Sequence, residues 1–148
     1  MTNRLLLDVE VFPYYSMVEI SDVGGREIPE QGGRDEYGVY FGDSTVAVCT
    51  MDADFATQSG RRVRVRVYSG GDQAGLGALV FDRNLIFTDP PRLGIYEPLT
   101  DEPDEGGGSV LIERSGPVRI QIFVDPPKEA EAVNVLIRYD LPFQHDLD

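Results

Sequence analysis

Apolar and polar residues alternate with a period of two along most of this chain, and that period predicts β-strands. The clearest example is 61–68, in which three valines occupy one face and three arginines, Arg62, Arg64 and Arg66, occupy the other. Similar patterns cover 5–12, 39–41, 46–51, 76–81, 84–88, 109–114, 118–124 and 132–139. Because turns rich in glycine and proline separate these segments, we expect an all-β fold, a single antiparallel β-sandwich of about eight or nine short strands.

Local signals place several elements more closely. Pro13 donates no N–H, so 14–20 is predicted as a bent continuation of the first strand or as an edge strand. Segments 76–81 and 84–88 are predicted to form a pair around Asp82 and Arg83. A helical turn is expected only at 127–132, which begins with proline.

The length of the chain fits one domain. We expect this domain to span 1–148, with a tail from about residue 142. Its predicted buried face consists of the apolar positions that alternate in phase within each strand: Val9, Val11, Val46, Val48, Val63, Val65, Val67, Ile120, Ile122, Val133, Val135 and Ile137.

The composition restricts the class of partner. A net charge of −13 argues against direct binding to nucleic acid or to an anionic membrane, because both are polyanions, and it favours a basic protein partner. No apolar run reaches the roughly 18 residues of a membrane span, so membrane insertion is not expected. The three leucines after Arg4 are too few for a signal peptide, which predicts a cytoplasmic protein. Cys49 has no cysteine partner and lies in the apolar run 46–49, which is typical of a structural thiol.

The sequence lacks the residue combinations that most catalytic mechanisms require. The only histidine, His145, is the fourth residue from the end of the sequence, where it is a poor candidate for a general base. No nucleophile elbow, phosphate-binding loop or paired cysteines for zinc are present. We therefore predict a non-enzymatic protein with no catalytic residues, cofactor or metal, and keep a hydrolase that uses two carboxylates as an alternative.

Two acidic loops carry the candidate binding residues. The segment 101–109 reads DEPDEGGGS, and a second loop rich in glycine and glutamate covers 24–36. We predict that 101–109 is a mobile, solvated loop, because its acids, proline and three glycines resist a fixed backbone. Calcium binding is the alternative, if the two loops that carry Asp52, Asp54, Asp101, Asp104 and Glu105 converge.

The arginine row also allows two interpretations. Arg62, Arg64 and Arg66 could clamp phosphates or carboxylates of a ligand. We favour pairing with acids on neighbouring strands, because a chain this acidic needs internal counter-charge.

Five segments carry a resemblance to a known family. Ser115–Pro126 is a glycine turn that leads into an alternating strand ending in an aromatic residue and a proline, and it is followed by an acidic connection, 127–132, and a last strand, 133–139. With 15–20 and 38–41 upstream, this order is similar to that of the competence protein J family, the DNA-entry nuclease inhibitors. The long loops at 24–36 and 101–108 depart from the family pattern.

The resemblance implies a small acidic protein that binds and inhibits a cognate nuclease. Together with the charge, it leads to the hypothesis of an acidic, cytoplasmic, competence-related binding protein that blocks a basic partner, a nuclease, without chemistry. A calcium- or ligand-binding β-sandwich of another pathway is the alternative. The predicted partner-binding residues are the exposed loop acids and one aromatic anchor: Glu27, Glu30, Asp35, Glu36, Tyr37, Asp101, Glu102, Asp104 and Glu105.

Overall fold

The computed structural model describes residues 3–26, 38–98 and 106–139. These residues form ten β-strands, one α-helix and two short 3-10 helices, Tyr14–Ser16 and Val23–Gly25. The helix α1 spans Ala53–Ser59. The strands are β1 Arg4–Val11, β2 Met17–Asp22, β3 Val39–Phe41, β4 Thr45–Cys49, β5 Val63–Ser69, β6 Ala78–Phe87, β7 Arg92–Tyr96, β8 Gly108–Leu111, β9 Gly116–Asp125 and β10 Ala132–Arg138.

The strands form two five-stranded sheets. The first sheet has the order β1-β5-β10-β9-β6, and the second has the order β3-β4-β2-β7-β8. The all-β prediction is confirmed, but the predicted single sandwich of eight or nine antiparallel strands is wrong. The described residues form ten strands, and β10 pairs with β5 in parallel, with Val133 opposite Val65. Sequence periodicity does not encode strand direction, so the parallel pair had no local signal.

One large hydrophobic cluster contains buried residues from both sheets, and a second, small cluster consists of Leu76, Phe123 and Leu136. Eleven of the twelve residues of the predicted buried face are buried, and the twelfth, Val9, is partly buried and packs against the large cluster. Leu5 precedes Val9 in the same alternation but is 50% exposed. A register shift between Leu5 and Leu7 accounts for this difference, because an extra residue in a strand reverses the faces beyond it.

Three element predictions need correction. Asp82 and Arg83 lie within β6, a single ten-residue strand, instead of at a turn between two strands. Segment 14–20 contributes β2, the central strand of the second sheet, instead of an edge strand. The one α-helix of the described residues lies at Ala53–Ser59, not at 127–132, which forms no helix.

The helix α1 has end signals that hydrophobic periodicity does not reveal. The Asp52 side chain accepts a hydrogen bond of 2.7 Å from the Phe55 N–H, as an N-cap does, and Gly60 ends the helix in the left-handed conformation. A helix of seven residues is too short to show a clear 3.6-residue hydrophobic period. The capping residues, Asp52 and Gly60, are therefore the sequence features that indicate this helix. None of the helices in the described part of the chain could span a bilayer, since the longest, α1, has seven residues.

Candidate functional site

All nine predicted partner-binding residues lie outside the described residues. The structure nevertheless describes the chain on both sides of each acidic segment. Arg26 and Gly38 flank the first, and Pro98 and Gly106 flank the second. The contacts of these flanking residues show where the two acidic segments begin and end.

The first acidic segment begins at an arginine that is fixed by charge. Arg26 Nε lies 2.6 Å from Glu19 Oε2, and Arg26 Nη2 donates to Glu19 Oε1 at 3.0 Å. The guanidinium also stacks over the Tyr96 ring, 3.9 Å from its centroid. Because Glu19 on β2 is the register partner of Tyr96 on β7, one arginine contacts two adjacent strands.

The turn before Arg26 depends on a second buried carboxylate. Asp22 is fully buried and accepts hydrogen bonds from the N–H and the hydroxyl of Thr88, at 3.0 and 3.3 Å. A Cβ at Gly24 would collide with the Thr88 hydroxyl, and one at Gly25 would come within 2.8 Å of Asp22 Oδ2. The two glycines therefore let the chain pass closely over this pair on its way to Arg26.

The second acidic segment begins and ends at one carboxylate. Glu97 is only 6% exposed, its Oε2 accepts a hydrogen bond of 2.7 Å from the Phe12 N–H, and the same oxygen lies 3.6 Å from Arg62 Nη1. A Cβ at Gly106, which has a φ of +135°, would collide with the Glu97 carboxylate. The chain therefore enters the second acidic segment just after Glu97 and leaves it at Gly106, which lies against the Glu97 carboxylate.

These contacts bring the roots of both acidic segments to one region of the second sheet. We call Glu19, Arg26, Tyr96, Glu97 and Gly106 the loop-root cluster. Tyr96 joins its two halves, since it contacts Arg26 and precedes Glu97 in the chain. The far end of the first segment also returns close to this region. The Gly38 carbonyl accepts the Cys49 N–H at 3.2 Å, and Cys49 is paired with Met17 at the start of β2.

The arginine row pairs with acids on neighbouring elements, as the favoured interpretation predicted. Arg64 donates to both oxygens of Asp8 on β1, at 2.7 and 2.8 Å, and Arg66 Nε lies 3.5 Å from the same carboxylate. The hydrogen bonds from Arg64, with the charges of Arg64 and Arg66, hold the pKa of Asp8 below its ordinary value despite some desolvation. Arg62 pairs with Glu97 in the loop-root cluster.

A second polar network lies on the first sheet. Asp82 on β6 accepts hydrogen bonds from Arg119 at 2.8 and 2.7 Å and from Gln121 at 3.0 Å, and Gln121 Oε1 accepts one from Arg138 at 2.9 Å. Burial alone would raise the pKa of Asp82. The hydrogen bonds from Arg119 and Gln121, with the charges of Arg119 and Arg138, outweigh it and lower this pKa. The network links β6, β9 and β10.

The residues considered for calcium are only partly described. Asp52 caps α1 and Asp54 lies in the first turn of that helix, so Asp52 has a structural function of its own. The other three acids lie outside the described residues. Within 3–26, 38–98 and 106–139, no three His, Cys, Asp or Glu side chains are grouped closely enough to hold a metal ion.

The residues of the loop-root cluster were not predicted from the sequence. Glu19 lies at a polar position of an alternating strand, which is typical of an exposed face. Their position in the sequence was the available signal, because Arg26 directly precedes the first acidic segment and Glu97 directly precedes Pro98, the residue before the second. Because buried polar groups are almost always hydrogen-bonded, a buried carboxylate next to a loop attaches the chain there to its hydrogen-bond partner.

Comparison with known proteins identifies a similar fold. No protein-family model and no curated protein matches the sequence. The fold is similar to that of a solved structure, ComJ, inhibitor of the DNA degrading activity of NucA, from Bacillus subtilis. The TM-score is 0.61 at 7% sequence identity, and the similarity covers 93% of this chain and 98% of that chain. The resemblance noted from the sequence is therefore confirmed at the level of the fold.

Proposed function

We propose that this protein is a nuclease inhibitor that acts in the cytoplasm by stoichiometric binding and performs no chemistry itself. The observation that carries the proposal is the shared fold with a nuclease inhibitor, which extends over nearly the whole of both chains. The charge of −13 is an independent argument, because a nuclease that binds a phosphate backbone presents a basic cleft.

Inhibition would work by competition for that cleft. Carboxylates of the two acidic segments would lie where the nuclease otherwise binds phosphates. The common region from which both segments leave the second sheet supports this mechanism, because it lets acids that are distant in sequence act on one partner surface. Attraction between opposite charges mainly accelerates association and weakens as salt screens it.

The experiment compares two neutralised variants with a matched control. One variant replaces Asp101, Glu102, Asp104 and Glu105 with Asn or Gln, and a second does so at Glu27, Glu30, Asp35 and Glu36. The control neutralises four exposed acids of the described chain that lie in other loops: Asp43, Asp72, Asp89 and Glu113. DNA degradation by the nuclease that co-purifies with the chain from its host is measured at low and high salt.

The wild-type chain should inhibit at a one-to-one ratio, and more strongly at low salt. Each loop variant should inhibit more weakly and depend less on salt, while the control variant behaves like the wild type, apart from a small general effect of charge. Equal inhibition by the wild type and both loop variants would overturn the acidic-mimic mechanism. Failure of the wild-type chain to inhibit any nuclease it binds would overturn the proposed function.

A further inference from the structure

An exposed tyrosine lies on a strained turn beside the loop-root cluster. Tyr15 is 70% exposed, the largest exposure among the large hydrophobic side chains of the described residues. Its φ is +57° and that of Ser16 is +59°, so two consecutive residues other than glycine occupy the left-handed region. Side chains with a Cβ are disfavoured there, and such strain occurs preferentially at functional sites.

Backbone hydrogen bonds fix this turn. The Ser16 N–H donates to the Pro13 carbonyl at 3.0 Å, and the Ser16 carbonyl accepts the Thr50 N–H at 2.8 Å. Before the turn, the Phe12 N–H donates a hydrogen bond to Glu97, the carboxylate at which the second acidic segment begins and ends. Tyr15 is therefore presented from a backbone that is already ordered, which reduces the entropy lost when a partner binds.

The helix α1 lies in contact with this turn and presents a second ring. Phe55 is 42% exposed, in the first turn of a helix that Asp52 caps. Asp52 and Asp54 are exposed beside it, and within the described part of the chain neither forms an ion pair. We call Tyr15, Phe55, Asp52 and Asp54 the aromatic corner.

We propose that the aromatic corner is the anchor of the nuclease-binding surface and that it receives arginine or lysine side chains of the basic nuclease. This inference rests on the proposed function. Charge complementarity identifies the occupant, since the exposed carboxylates of Asp52 and Asp54 lie next to Phe55 at the start of α1 and the whole chain has a charge of −13. Exposed aromatic faces attract guanidinium and ammonium groups, and a fixed tyrosine is a frequent energetic centre of an interface.

The test uses the positive φ of Tyr15 to distinguish a loss of binding from a loss of folding stability. Tyr15→Gly removes the ring but suits the positive φ, so the variant should be at least as stable as the wild type. Tyr15→Phe keeps the ring, and Phe55→Ser removes the other one. Leu79→Ser is the matched control, because Leu79 has the same 42% exposure on β6, at the opposite edge of the first sheet from β1.

Inhibition of the co-purified nuclease and the melting temperature are measured for each variant. We expect Tyr15→Gly and Phe55→Ser to raise the half-inhibitory concentration about tenfold or more, with the melting temperature of Tyr15→Gly unchanged or higher. Tyr15→Phe and Leu79→Ser should inhibit like the wild type.

Two results would overturn the inference while leaving the proposed function intact. One is wild-type inhibition by Tyr15→Gly. The other is lost inhibition accompanied by a lower melting temperature of Tyr15→Gly, which would assign Tyr15 a structural role. A wild-type chain that inhibits no nuclease would refute both proposals.

Discussion

Glu97 connects three parts of the chain that are distant in sequence. It accepts a hydrogen bond from Phe12 at the end of β1, pairs with Arg62 before β5 and lies against Gly106 before β8. Such a contact cannot be inferred from a single sequence, because each partner is separately consistent with a solvated loop. By contrast, the pairing of Arg64 with Asp8 was predictable, since both occupy polar positions of regular strands.

Replacement of Glu97 should weaken both the fold and the proposed inhibition. In Glu97→Ala the Phe12 N–H loses its acceptor, and a buried unsatisfied donor costs about 1–3 kcal/mol. We expect a decrease of that size in the free energy of unfolding, measured by urea denaturation. Glu113→Ala is the control, because Glu113 is exposed and should change stability by no more than about 0.5 kcal/mol. Equal stability of the two variants would show that Glu97 does not hold the loop roots.

Asp82 should contribute to the pH dependence of stability. Its pKa is lower in the folded protein than in the unfolded chain, where it is about 3.9. The resulting stabilisation is present above the unfolded pKa and is lost as the pH falls through the folded pKa. At pH 7, Asp82→Asn should therefore be less stable than the wild type, by about 1.5–3 kcal/mol for charged hydrogen bonds.

Melting curves between pH 7 and pH 2 check this expectation. The difference in melting temperature between the wild type and Asp82→Asn should decrease below about pH 4, because only the wild type loses the Asp82 charge. A difference that stays constant over this pH range would contradict the pKa direction. Gln121→Glu is not a suitable comparison, because it adds a carboxylate beside Asp82.

At the scale of the elements, α1 depends on its ends. Gly60 has a φ of +73° and nothing lies within 4 Å of a Cβ placed there, so a substitution meets only conformational strain. Gly60→Ala should therefore lower the free energy of unfolding by about 1 kcal/mol, and Gly60→Asn by less, because asparagine tolerates the left-handed region. Urea denaturation of both variants measures the difference. Equal losses would indicate that the φ of Gly60 is not the cause.

Two errors of the sequence prediction, the unpredicted strand β7 and the turn predicted inside β6, have the same physical cause. Gly94 in β7 lacks a side chain because a Cβ would come within 2.9 Å of Val23 and within 2.8 Å of the Tyr96 ring. A glycine after two prolines has the local pattern of a loop, so β7 was not predicted. In β6 the polar pair Asp82 and Arg83 resembles a turn, yet Asp82 is held by Arg119 of β9. Both elements are stabilised by tertiary contacts that override the local pattern.

The central position of β2 has a similar origin. Pro13 led to the prediction of a bent continuation or an edge strand at 14–20, but β2 has a neighbouring strand on each side, and its Glu19 and Asp22 are buried. Arg26 covers Glu19, and Thr88 covers Asp22. The alternation of the sequence therefore predicted which residues face the common core. That other residues cover the opposite face of β2 could be seen only in the three-dimensional structure.

At the scale of the whole molecule, the excess of acids should act in opposite directions on folding and on inhibition. Because the net charge is −13, the excess carboxylates repel one another in the compact folded state. Added salt screens this repulsion and should therefore raise the melting temperature. The same screening should weaken attraction to a basic nuclease and slow its association. A titration from about 0.05 to 0.5 M NaCl, over which the Debye length falls from roughly 14 to 4 Å, measures both quantities on one sample.

If inhibition decreases while the melting temperature increases, unfolding is excluded as the reason for the lost inhibition, and direct screening of the interface remains. If both quantities decrease together, salt acts on the fold itself, and the acidic surface is not the electrostatic partner of the nuclease.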